Sequence, residues 1–168
     1  KDVYTTKESF QTIVGNVGET SKLNGYPVAF DKETLKGAGG YEWTTLDFEN
    51  YWTAVPDSTP VLKQFATEPL SLEGLEKKVD VSWYNDEQDT FVLNDSADLY
   101  GFAILSNTNN FKGKTVKLGA NITINEGKAS SWAKEAPNNK WICIGSNFNE
   151  FEGTFDGQMH TISGVYFT

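Results

Sequence analysis

Asp156, with Glu152 or Glu150 before it, has the residue types for acid–base work on a glycoside, which needs two carboxyl groups flanking the scissile bond. The same Asp156 is followed by Gly157, and Asp-Gly is also a turn pair, so a turn role stands beside the catalytic one. Nucleophilic catalysis has less to draw on. His160 is the single histidine, and no Gly-x-Ser-x-Gly elbow surrounds any serine. Gly37-Ala38-Gly39-Gly40 lacks the lysine and hydroxyl residue of a phosphate-binding loop and reads as a plain loop. Cys143 is the one cysteine, so no intrachain disulfide forms, and one Cys with one His cannot build a thiolate zinc cluster. Its setting, Trp141-Ile142-Cys143-Ile144, predicts a buried small hydrophobe.

Two oxygen-rich stretches have calcium chemistry: Asn85-Asp86-Glu87-Gln88-Asp89, and Asn94-Asp95 with Asp98. Neither has EF-hand spacing, and a solvated turn is the default reading of each; calcium stays open and no other cofactor is expected. Aromatic rings beside Asn and Asp suit stacking on sugars. Trp132, Trp83, Tyr84 and Trp52 are the candidate ligand-binding residues, with Trp43 and Tyr51 as further rings of the same kind. Most such rings fill a core, because exposed aromatic clusters are rare in a monomer. Trp132, amid Ser130, Ser131, Lys134 and Glu135, is the one expected outside.

Composition narrows the partners. The 168 residues carry 23 acidic and 14 basic side chains, all lysine, for a formal charge of −9. An acidic chain without arginine suits neither nucleic acid nor an anionic membrane, and it cannot supply an arginine finger. No apolar run is long enough to span a bilayer. No cationic and apolar leader opens the chain, so any signal peptide is removed or lies upstream. Abundant Gly, Asn, Asp, Thr and Ser, with 14% aromatics, predict short strands joined by polar turns.

The elements that must position these residues fall into two parts, 1–66 and 79–168, joined by a linker at 67–78 that Pro69 and Gly74 punctuate. In the first part, 10–15 and 26–30 read as strands, with turns at Gly15, Gly18, Asn24 and Gly25, and 31–36 as a short helical turn. Pro56 and Pro60 bracket another turn. In the second part, Phe91-Val92-Leu93 is a strand, and one helix lies near 96–107. Asp95 or Ser96 caps it, Asp98 suits its first turn, and Leu99, Phe102 and Ala103 share a face. Period-two segments follow at 115–118, 122–124, 141–144, 153–155 and 161–167, as in a sandwich, barrel or solenoid.

Trp141-Ile142-Cys143-Ile144-Gly145, followed by Phe151-Glu152-Gly153-Thr154-Phe155-Asp156-Gly157-Gln158-Met159-His160-Thr161-Ile162-Ser163-Gly164-Val165-Tyr166, resembles a recurring block of large bacterial surface proteins that carry GLUG-type repeats. Its form is W-x-x-I-G, an acidic spacer, then F-x-G-x-F-D-G-x-x-H-x-I-S-G-[LV]-Y. Ser82-Trp83-Tyr84, the 97–103 helix and the 111–118 strand resemble that family's entry segment. Leu35-Lys36-Gly37, Trp43, Leu46-Asp47-Phe48, Trp52-Thr53 and Pro60-Val61-Leu62-Lys63 resemble its closing segment.

The resemblance implies an all-β chain, a right-handed parallel β-helix with one short capping helix. It implies a closing segment at 1–66 ahead of an opening segment at 79–168, as at the junction of two units in a longer protein. Trp141, Gly145, Phe151, Gly153, Phe155, Asp156, Gly157, His160 and Gly164 are then structural: Gly153, Gly157 and Gly164 for positive φ or close approach, His160 at a turn, and Phe151, Phe155, Ile162 and Val165 or Tyr166 pointing inward. The expected function is a non-catalytic adhesin-like scaffold or binding module, secreted or on a bacterial surface, for a host or glycan ligand. Self-association through open strand edges is expected as well. A polysaccharide-acting enzyme fragment and a purely structural stalk are the alternatives.

Overall fold

The computed structural model describes residues 4–6, 28–30, 32–146 and 149–167. The strand expected at 10–15 and the turns at Gly15, Gly18, Asn24 and Gly25 lie outside the described residues. The chain divides into two compact units, Lys1–Val79 and Asp80–Thr168.

In the first unit, β1 (Tyr4–Thr6) runs parallel to β2 (Val28–Phe30). A 3-10 turn at Lys32–Leu35 leads into α1 (Ala38–Glu42). The glycine-rich stretch read as a loop is thus largely helical. Tertiary contact overrides its poor helix propensity: a Cβ on Gly40 would lie 2.2 Å from Pro60 Cγ, so only a bare backbone fits there. β3 (Trp52–Val55) and β4 (Ser58–Leu62) form an antiparallel hairpin around Pro56-Asp57, with Asp57 at φ 54°. That is the pattern of a type II turn, with proline first and the left-handed residue second. Among the described residues, Phe30, Leu35, Trp43, Phe48, Ala54 and Val79 are buried in this unit. Lys77 stitches the unit: its Nζ donates to the carbonyls of Tyr41 (2.9 Å) and Thr44 (3.0 Å) and stands 4.3 Å over the Tyr41 ring.

The second unit is built round α2 (Ser96–Leu105). Asp95 caps it, its Oδ1 accepting from the Asp98 amide at 3.0 Å; Asp98 in turn accepts from the Asn94 amide at 2.8 Å. Asp98 through Ile104 are all buried. A helix buried on every side is a core helix, not a lid. Around it, β5 (Thr90–Leu93), β6 (Thr115–Leu118) and β8 (Thr154–Asp156) make a parallel sheet in the order β5-β6-β8. Beside these, β7 (Ile122–Thr123) pairs in parallel with β9 (Ile162–Ser163).

These findings correct the expected fold. The described residues mix helix and strand, with strands of two to five residues in small sheets, the largest of three strands. It is not an all-β right-handed β-helix, and no solenoid of stacked rungs is present among the described residues. Residues 141–144 form no strand, and of 161–167 only Ile162–Ser163 joins a ladder. The apolar alternation there reflects packing onto α2 rather than sheet pairing: Trp141 lies against Tyr100, with ring centroids 5.6 Å apart.

Candidate functional site

The carboxylates come first. Glu152 pairs with Lys112 at 3.1 Å and accepts from Asn110 Nδ2 at 2.8 Å. The Lys112 bond, more than any other contact, holds its carboxyl below the ordinary value. Asp156 accepts from the Gln158 amide (3.0 Å) and from Gln158 Nε2 (2.6 Å), which lowers its pKa too. In both, these donors favour the anion. A glycosidase of this kind needs one carboxyl raised so that it can donate a proton, and neither of these is.

Asp156 holds a turn instead. The His160 amide closes it on the Gly157 carbonyl at 2.7 Å, and Gln158 and Met159 both take positive φ (47° and 60°). This is the type I′ pattern, borne by two ordinary residues rather than by glycine. Gly157 is one position short of the left-handed pair. Gly164 does have positive φ (73°), and a Cβ there would lie 2.1 Å from the Asn125 carbonyl oxygen. Gly145 has φ 71°, and Gly153 approaches the Phe111 carbonyl closely.

Loop 85–89, a calcium candidate from its residue types, already surrounds a cation. Lys114 Nζ donates to the carbonyls of Asp86 (2.9 Å) and Gln88 (2.6 Å) and stands 4.0 Å from Asp89 Oδ1. It also sits over the Tyr84 and Phe91 rings, at 5.8 and 5.5 Å. An ammonium thus occupies the oxygen cluster that a metal would need. The other candidate is spent on the α2 cap described above. No group of three metal-ligating side chains occurs among the described residues.

Trp83 and Tyr84 are half-buried walls of an aromatic cluster with Phe91, Phe102, Phe111 and Phe151. Their polar atoms are engaged: Trp83 Nε1 donates to the Asp80 carbonyl at 2.9 Å, while the Tyr84 hydroxyl bonds Asp86 and accepts from Asn109. Burial, with the Asp86 carboxylate beside it, pushes the Tyr84 phenol up to about 12. Trp52 is half-buried on β3 opposite Leu62, in the other unit. Cys143, expected inside, is exposed. Its neighbours Ile142 and Ile144 are half-buried.

Trp132 differs from the other candidates. It follows the 3-10 turn at Ala129–Ser131 and meets Tyr166 edge to face, with centroids 5.8 Å apart and planes at 81°. Both rings are half-buried, and Ser130, Ser131, Lys134 and Glu135 around Trp132 are exposed. The pair is anchored from below. The Tyr166 carbonyl accepts from the Trp141 amide at 2.8 Å, Trp141 packs on Tyr100, and the Tyr100 hydroxyl donates to the Lys140 carbonyl at 2.9 Å. Tyr100 lies in α2, so the helix positions the surface corner through one intervening ring.

Sequence reasoning singled out Trp132 but missed its partner Tyr166, 34 positions on, and missed Lys114 and Asn109 as the groups that tie down Tyr84. Comparison with protein-family models, with curated proteins and with solved structures gives no match.

Proposed function

We propose that the chain is a non-catalytic binding module of a secreted or cell-surface bacterial protein, and that it takes a glycan at the Trp132–Tyr166 corner. The observation that carries this reading is the half-exposed, edge-to-face pair on a polar surface. The negative face of an aromatic ring attracts the polarised C–H groups of a pyranose, and two rings near a right angle offer one face for stacking and one for flanking contact. Ser130, Ser131, Lys134 and Glu135 supply donors and acceptors for hydroxyl groups. Anchorage through Trp141 to α2 fixes the corner before ligand arrives, which limits the ordering cost of binding.

A glycan array probed with the chain tests this, followed by titration of any hit against Trp132→Ala. Loss of binding with an unchanged melting temperature supports the reading; equal binding by the variant removes Trp132 from the site. The enzyme alternative is tested on the same glycans: hydrolysis abolished by Asp156→Asn without unfolding would replace the binding-module reading.

A further inference from the structure

We propose that two copies of this chain pair through the edge of β8 that no described strand covers, antiparallel and centred on Phe155. The inference starts from the ladders. Phe91, Val116 and Phe155 stand side by side across β5, β6 and β8. The first two are 2% and 0% exposed, yet Phe155 is 38% exposed. Among the described residues no strand pairs with the far side of β8. Phe155 stacks on Phe102 at 5.9 Å with planes 13° apart, so an ordered ring sits at that open edge.

Backbone direction fixes how a partner would pair. The Thr154 amide donates to the Lys114 carbonyl at 2.9 Å, so Thr154 and, two residues on, Asp156 turn their backbone groups towards β6. The N–H and C=O of Phe155 therefore point away from β6, to the open edge. In an antiparallel ladder, opposed residues alternate between pairs that exchange both hydrogen bonds and pairs that exchange none, and residues whose backbone groups face the partner form the first kind. A two-fold axis through Phe155 lets each copy's Phe155 do so with the other.

The register also suits a second copy as the occupant. Centred on Phe155, the pairing sets Asp156 of each copy opposite Thr154 of the other, so no like charges face each other. The surface is self-complementary, as a two-fold contact requires. A three-residue edge gives a weak dimer, and the −9 charge on each copy opposes it, so salt strengthens the association.

Sedimentation equilibrium of the full chain, over a range of concentrations at low and high salt, tests the proposal. Reductant is included because Cys143 is exposed. The expected result is a monomer–dimer equilibrium, tighter at high salt. Thr154→Asp sets a carboxylate opposite Asp156 of the other copy, twice by symmetry, and weakens association by about fivefold or more. Thr154→Lys strengthens it by a similar factor. Thr154 is exposed, so both variants fold, which circular dichroism verifies. A strict monomer at all concentrations, or a dimer indifferent to residue 154, overturns the proposal.

Discussion

A Cβ on Gly101 would lie 1.8 Å from the carbonyl oxygen of Asp80. The chain entering the second unit crosses α2 at this point, and the Asp80 amide donates to the Ala97 carbonyl at 3.0 Å. Glycine in mid-helix costs about 1 kcal/mol against alanine, yet here it admits a backbone that no other residue would. Gly101→Ala is therefore expected to destabilise the chain by about 2–4 kcal/mol, against the slight gain that propensity alone predicts. Urea denaturation measures it, and a neutral or stabilising result would show that α2 and the Asp80 segment are not in this contact.

Lys114 is expected to hold loop 85–89 in place of a metal. Lys114→Met leaves the Asp86 and Gln88 carbonyls without their donor and removes the cation from two rings. The expected cost is about 2–3 kcal/mol. Calcium at millimolar concentration should leave the wild-type melting temperature unchanged, because a bound ion would raise it by mass action. A calcium-dependent rise would show that the ammonium is displaced.

The same cases show what was legible in the sequence. The α2 start could be read because a cap and its helix are local: Asp95, Asp98, Leu99 and Phe102 lie within eight residues. The anchors could not. Lys114 reaches carbonyls 26 and 28 positions away, and Lys77 reaches Tyr41 across 36, distances at which spacing carries no signal. Alternation at 141–144 misled because an apolar segment lying on a helix and a strand in a sheet bury residues alike. Asp156-Gly157 signals a turn, but Asp156 ends β8 and the left-handed pair falls two residues on at Gln158 and Met159, which no turn preference marks. Of the candidate surface, Trp132 could be read from its polar neighbours, whereas Tyr166 is brought to it by folding.

Asp98 is expected to give stability a falling limb with rising pH. Burial, above all, raises its pKa over the ordinary 3.8, with Asp95 and Asp80 adding to the effect. The folded state then binds this proton more tightly than the unfolded chain does. The contribution is full below the ordinary value and is lost as pH rises through the raised one. Asp156 and Glu152, with lowered values, act oppositely: their contribution is present above the ordinary range and lost as pH falls through their folded pKa values. Asp98→Asn still accepts from the Asn94 amide but does not titrate. Wild-type stability minus variant stability, followed by urea midpoint from acid to neutral pH, should therefore decrease as pH rises. A flat or increasing difference would contradict the burial of this carboxyl.

The proposed binding role rests on one corner of the second unit, and one titration tests it most directly. Tryptophan fluorescence of the chain is followed against a glycan identified on an array, for wild type, Trp132→Ala and Trp52→Ala. The expected result is saturable binding by wild type and by Trp52→Ala, with affinity about tenfold lower or lost in Trp132→Ala. Absence of any glycan ligand, or undiminished affinity in Trp132→Ala, would contradict the account.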